Sequence, residues 1–109
     1  MTHSLVIHPE AESELNAIYD YISERTGPEF AWAYIRGVRD YLYRLSEFPE
    51  RGSIRDANVN GLRLIGYRKR LSIAFVVREN NLIILGFFYA GRNINPSVLR
   101  ERNLGFDGP

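Results

Sequence analysis

Apolar residues in the first half of this 109-residue chain recur with a helical period. Ala11, Leu15, Ile18 and Ile22 stand four, three and four apart, and Ala31, Ile35, Val38, Leu42 and Leu45 follow at four, three, four and three. Residues so spaced share one face of a helix. The first stripe predicts a helix from Pro9 to about Arg25, opened by a proline suited to a first turn and by Glu10, Glu12 and Glu14 at the positive end of the helix dipole. Thr26-Gly27-Pro28 breaks it and starts a second helix, which Pro49 ends just after Phe48. So short a joint makes the pair an antiparallel hairpin. Ahead of it, Ser4-Leu5-Val6-Ile7-His8 is a short β-branched run, a strand closed by Pro9.

Beyond the hairpin the period falls from 3.6 to 2. Glu50 to Gly61 holds Gly52, Ser53, Asp56, Asn58 and Asn60 and is predicted as a loop. Leu71, Ile73, Phe75 and Val77 then alternate with Ser72, Ala74, Val76 and Arg78, and Leu62 to Tyr67 is the expected partner strand across Arg68-Lys69-Arg70. A tight turn at Glu79-Asn80-Asn81 leads into Leu82 through Tyr89, apolar on both faces as in the middle of a sheet. Asn95-Pro96 opens a short helix through Arg102, and Leu104 to Pro109 is expected to fray. The fold class is α+β: strand, two helices, three strands, with the helices on one face of a mainly antiparallel sheet. One domain is expected over residues 1–109, with its core at about 4–95 and a short helix or tail at 96–109.

Composition narrows the possibilities. With 45% hydrophobic and 13% aromatic residues, a chain of this length can fill a core without staples. The absence of cysteine excludes a disulfide scaffold, a thiolate zinc site and a thiol nucleophile. No apolar run approaches the ~20 residues that span a bilayer, and no basic-then-apolar leader opens the sequence, so no membrane role and a cytoplasmic location are expected.

The net charge of +1 conceals an asymmetry. Residues 1–50 carry nine acids against four arginines, whereas residues 51–109 carry ten bases against four acids. Lys69 is the only lysine among fourteen basic residues. Arginine's planar fork binds carboxylates and phosphates at two points, so the bias suits an acidic partner surface or a phosphate backbone.

No phosphate loop, zinc-protease helix pair, calcium loop or nucleophile elbow occurs. His3, His8 and Glu10 leave any metal coordination unfinished, and no cofactor is expected. The positive feature is the sheet half, where Arg63, Arg68, Lys69, Arg70, Arg78 and Arg92 accompany Tyr67, Phe75, Phe87, Phe88 and Tyr89. Alternation places Arg63, Ile65 and Tyr67 on one face of their strand, a candidate basic and aromatic surface. Such a surface either grips RNA, with bases stacked on rings, or docks an acidic partner through arginine forks. Cleaving RNA without a metal needs a base, a cation and an acid. Arginine supplies only the cation, which leaves Tyr67, Lys69, Glu79 and Tyr89 for proton transfer, a poor set that favours binding. On the second helix Trp32, Tyr34, Tyr41 and Tyr43 lie off or beside the apolar stripe, where exposed rings usually mark a partner.

Several segments together also resemble the ParE/RelE superfamily of type II toxins, most closely its ParE branch, often called plasmid stabilisation proteins. They are His8-Pro9-Glu10-Ala11-Glu12, Ile18-Tyr19-Asp20-Tyr21-Ile22, Phe48-Pro49, Gly61-Leu62-Arg63 and the run Ile84 to Asn93. The likeness covers roughly residues 4 to 95 and implies the toxin fold, together with a cognate, ParD-like antitoxin that binds and neutralises the protein as a hetero-oligomer. ParE-like members inhibit DNA gyrase by protein contact, the expected target here. RelE-like members cut messenger RNA on the ribosome, and in that alternative Arg63, Arg78, Tyr89 and Arg92 take the catalytic places. A third alternative is a decayed toxin that retains only antitoxin binding. Tyr89, Gly91 and Arg92 match the aromatic, glycine and arginine that end the last strand in ParE, while Ala90 and Asn93 depart from the commoner glycine and aspartate. The partner-binding residues so implied are Trp32, Tyr34, Arg63, Tyr67, Arg68, Arg70, Tyr89 and Arg92.

Overall fold

The computed structural model describes residues 3–48, 53–54, 61–92 and 95–105. Strand β1 (Ser4–Ile7) is followed by helices α1 (Pro9–Thr26) and α2 (Pro28–Glu47), strands β2 (Ser53–Ile54), β3 (Arg63–Tyr67), β4 (Leu71–Arg78) and β5 (Asn81–Tyr89), and helix α3 (Pro96–Gly105). The sheet order is β1-β5-β4-β3-β2, with β1 parallel to β5 and every other pair antiparallel. The expected α+β architecture is present, with β5 an interior strand between β1 and β4 as its two apolar faces require. The predicted loop at 50–61 differs in holding β2, a two-residue strand too short for alternation to reveal, and its other residues up to Asn60 lie outside the described residues. Helix α3 runs three residues past the expected end at Arg102, so Leu104 and Gly105 belong to it rather than to a tail.

Both helical stripes meet the sheet as their spacing predicts. Ala11, Leu15, Ile18 and Ile22 of α1 and Ala31, Ile35, Val38, Leu42 and Leu45 of α2 are buried against Leu71, Ile73, Phe75, Leu82, Ile84 and Phe87. The other sheet face has its own smaller core of Leu62, Ala74, Val76, Ile83 and Leu85, on which α3 lays Leu99. No helix among the described residues is long and apolar enough to cross a membrane.

The parity of β5 changes midway. Leu82 and Ile84 face the hairpin, yet so do Phe87 and Tyr89, because Leu85 is an extra residue opposite the Ala74–Phe75 step. This bulge lies where β5 loses its neighbour, since the β1 pairing stops at Ile7 with Ile84. Backbone groups stranded there would cost several kcal/mol if buried without partners. Two side chains satisfy them. Arg102 of α3 donates from Nη1 to the Leu85 carbonyl at 2.8 Å, and the Phe87 amide donates to Glu14 Oε1 at 3.0 Å. The same two residues form a two-point ion pair, both N···O distances 3.0 Å. Their side chains are only 13% and 26% exposed, so the pair is far less screened than a surface one.

The entry to α1 rests on His8. Its Nδ1 accepts the Glu10 amide at 3.0 Å, capping the helix, while Pro9 fills the first position. Burial, and then the positive charge of Arg102, hold the imidazole below its ordinary value of 6.5. The neutral ring is the one that can accept, so helix capping and depressed basicity agree.

Two outcomes are expected. Glu14→Ala strands both the Arg102 guanidinium and the Phe87 amide and should cost about 2–4 kcal/mol in urea unfolding, with a favourable coupling of about 1 kcal/mol or more to Arg102→Met in a double-mutant cycle. Because His8 binds a proton less readily folded than unfolded, its contribution is complete above pH 6.5 and is lost as pH falls through that value toward the lower folded one. His8→Asn keeps an acceptor at the cap without titrating, so thermal melts between pH 7.5 and 5 should show a shallower acid decline than the wild type.

Candidate functional site

The β3–β4 connection and the end of β5 bring the predicted tyrosines and most of the predicted arginines to one end of the sheet. Leu71 pairs with Tyr67 on one side and Tyr89 on the other, which sets these two rings in one row on the hairpin-facing side. Tyr34 of α2 enters between them, its ring centroid 5.7 Å from Tyr67 and 5.9 Å from Tyr89, both edge-on. The row continues at both ends. Tyr41, one helical repeat from Tyr34, lies 5.0 Å from Tyr67 and donates its hydroxyl to the Gly66 carbonyl at 3.1 Å. Tyr21 of α1 meets Tyr89 at 5.8 Å. Five of the seven tyrosines thus form one chain of ring contacts between the helical hairpin and the sheet, Tyr41-Tyr67-Tyr34-Tyr89-Tyr21.

Cations decorate this row. The guanidinium of Arg25 sits 3.7 Å from the Tyr21 centroid, that of Arg68 5.5 Å from Tyr67, and that of Arg70 5.7 Å from Tyr89. Such contacts contribute roughly 0.5–1 kcal/mol each at exposed positions. Arg68, Lys69, Arg70 and Arg92 are exposed and make no ion pair among the described residues. The turns that carry them are strained. Arg68 and Lys69 have φ of 50° and 66°, and Ala90 before Gly91 has 57°. Left-handed backbone costs an ordinary residue about 1–2 kcal/mol, and glycine or asparagine would relieve it. Cations are kept in the β3–β4 turn at the expense of stability, a pattern that gathers at functional sites.

Tyr34 is the least ordinary member. Burial first, then the neighbouring Tyr89 and Tyr67, push its phenol up to about 12, with Arg68 and Arg70 opposing weakly. Its hydroxyl oxygen is buried and has no hydrogen-bond partner among the described residues. At neutral pH this group is a donor and not a base.

The expected basic surface on β3 is arranged differently from the sequence reading. Ile65 and Tyr67 turn toward the helices, and Tyr67 is buried in the main core, because the face that carries them is the one the hairpin covers. Arg63 shares that face at the β2 side, partly exposed and engaged by neighbours, four residues or ~13 Å along β3 from Tyr67. Arg78 lies at the opposite end of β4, seven residues or ~23 Å from Leu71 and the tyrosine row. The four residues of the nuclease alternative are therefore not gathered: Tyr89 and Arg92 are together, Arg63 and Arg78 stand apart. Trp32 is 58% exposed but belongs to the opposite flank of α2 from Tyr34, with its ring against Tyr19 of α1. Tyr21, Arg25 and the Glu14–Arg102 pair are members of the site that sequence reasoning did not assign to it. Tyr21 sits beside the α1 stripe, and the seven-residue spacing of Tyr34 and Tyr41 is the one signal that placed two ring partners on a common flank.

Between α1 and the free edge of β5 runs an open groove of about 330 Å³, lined by Glu10, Ser13, Tyr21, Phe87, Tyr89 and Arg92 among others. Of its two acids, Glu14 is already committed to Arg102. Among the described residues no three His, Asp or Glu side chains stand close enough to hold a metal ion.

A two-helix hairpin packed on a mixed sheet is a fold shared with solved toxin structures. The chain of the chromosomal ParDE toxin–antitoxin system from P. aeruginosa superposes with a TM-score of 0.70 at 26% identity, covering 82% of this chain and 97% of its own. A double mutant of the E. coli toxin RelE in the free state shares the fold with a TM-score of 0.61 at 11% identity, covering 96% of this chain and 97% of its own. The family model described as ParE toxin of the type II toxin-antitoxin system parDE matches residues 5–94, and the chain belongs to that family. No curated protein matches the sequence significantly.

The packing of the tyrosine row can be tested at Gly37. A Cβ there would lie 2.5 Å from the Tyr67 hydroxyl but 3.7 Å from the ring carbon that bears it. Gly37→Ala should destabilise the protein by about 1–2 kcal/mol, since a ring held between Tyr34 and Tyr41 cannot move aside. In a Tyr67→Phe background the sign should reverse, and alanine's helical advantage of ~1 kcal/mol should appear in the same unfolding assay.

Proposed function

We infer that this protein is the toxin of a ParDE-type pair, held inactive by a ParD-like antitoxin, and that it acts in the cytoplasm on DNA gyrase by protein contact. Membership of the ParE family supports the toxin–antitoxin half of this reading. The target rests on one observation: the residues that would have to cooperate in metal-free RNA cleavage are spread along the sheet, with Arg78 ~23 Å from the Tyr89 end. A surface of this kind binds a macromolecule and stabilises an arrested state of it. The antitoxin would then act by covering the same end or by holding it away from the enzyme.

Purified protein is expected to block gyrase supercoiling and to cause cleaved DNA to accumulate, and co-expression of the product of the adjoining reading frame should restore growth. Absence of both gyrase effects at large protein excess, with A-site cuts appearing in primer extension on translated messages, would replace this target by the ribosome.

A further inference from the structure

We propose that Glu14 and Arg102 are positioning residues for the cationic end of the sheet: through the β5 bulge they set where Tyr89 and Arg92 stand, and so tie α3, on the far side of the sheet, to the surface the toxin presents. For the identity of what meets that surface, this rests on the proposed function. On one side β4 holds β5 as far as the turn, with Tyr89 opposite Leu71 and the Ala90 amide donating to the Arg70 carbonyl at 2.8 Å. On the other side the strand contacts end where the His8 amide donates to the Ile84 carbonyl at 2.9 Å. Past that point, among the described residues, two side chains hold the backbone of this edge, Arg102 at Leu85 and Glu14 at Phe87.

These contacts close into a ring. Arg102 Nη1 donates both to the Leu85 carbonyl and to Glu14 Oε1, Arg102 Nη2 donates to Glu14 Oε2, and Oε1 also accepts the Phe87 amide. A guanidinium fork meeting a carboxylate at two points fixes orientation as well as distance, so neither side chain shifts without the other. Gly86 lies inside the ring. A Cβ there would stand 3.1 Å from the Phe88 ring and 3.2 Å from Arg102 Nη1, so the guanidinium reaches the backbone because this position has no side chain. Glycine weakens a strand interior and is kept there where another group must approach closely.

What the ring fixes is felt at the tyrosine row. Phe87, whose amide Glu14 holds, precedes Tyr89 by two residues on the same face of β5. The Tyr89 ring packs edge-on against Tyr34 of α2 and Tyr21 of α1 and lies under the Arg70 guanidinium. A displaced strand end is therefore passed at once to both helices and to the β3–β4 turn, because close-packed rings transmit strain rather than absorb it. With side chains only 13% and 26% exposed, Arg102 and Glu14 offer little to a partner directly. Their effect on the target travels through β5.

The test compares Arg102→Lys, which keeps the charge but not the fork, and Gly86→Ala, which removes no polar group, with Leu45→Ala, a core truncation at the other end of α2 from Tyr34. Each is made in the full-length protein labelled at tyrosine Cζ and studied at a temperature where circular dichroism shows it folded. Arg102→Lys and Gly86→Ala should shift the Tyr89 and Tyr34 resonances, leave that of the exposed Tyr43 in place and speed hydrogen exchange at the Tyr89 amide. They should also raise the concentration that half-inhibits gyrase supercoiling about tenfold, within the range by which residues touching neither ligand alter a coupled site. Glu14→Gln, which keeps the oxygen that accepts the Phe87 amide, should fall between wild type and Glu14→Ala on both readouts. Leu45→Ala should match wild type on both. Unmoved Tyr89 and Tyr34 resonances in Arg102→Lys and Gly86→Ala, or an equal loss of potency in Leu45→Ala, would overturn the positioning role. Failure of the parent reading looks different. If wild type leaves gyrase untouched while Arg102→Lys and Gly86→Ala still move Tyr89 and relieve growth arrest on expression, the positioning role stands and the assumed target falls.

Discussion

The far end of β5 depends on a single ion pair because this interior strand is longer than its neighbour β1. β5 continues past the end of β1, and a bulge at Leu85 re-aims its last residues. Glu14 and Arg102 meet the backbone there and each other, so one pair satisfies an amide, a carbonyl and two charges. Isolated ion pairs are usually weak contributors, but this one replaces strand pairing that would otherwise be missing. It also joins the first helix to the last across the sheet edge, which makes the two cores mechanically continuous.

The bulge has a second effect further along the strand. Without the extra residue, Phe87 and Tyr89 would point to the α3 side and the hairpin would meet Phe88 in their place. Tyr89 would then be lost to Tyr34 and Tyr21, and the ring row would break in its middle. The cationic end of the molecule is thus built on a register decision made four residues earlier, and that decision is held by the Glu14–Arg102 pair.

Much of this was legible in the sequence. The hairpin, the alternation of β4, the interior position of β5 and the toxin family were all readable, because each leaves a periodic or ordered signal over many residues. β2 was not, since two residues carry no period. The bulge was not, since Leu82 through Phe88 is apolar on both faces and a change of parity inside such a run alters no pattern. The β3 surface was misjudged for a related reason: alternation states which residues share a face but not which face the helices cover. Trp32 and Tyr34, two residues apart, were grouped as exposed rings although a helix sends them to opposite flanks. The distant members of the site, Tyr21 and Glu14, had no local signature because their meaning lies in contacts made across the fold.

Helix α3 is fastened at two points, Leu99 sunk into the smaller core and Arg102 clasped by Glu14, with Val98 and Leu104 left facing solvent. So slender an attachment is the one expected to open first in local unfolding, ahead of the hairpin-bound side of the sheet. What such a departure bares is the apolar underside of β4 and β5, and with it the unpaired rim of the bulge; among the described residues, α3 alone governs access to that face.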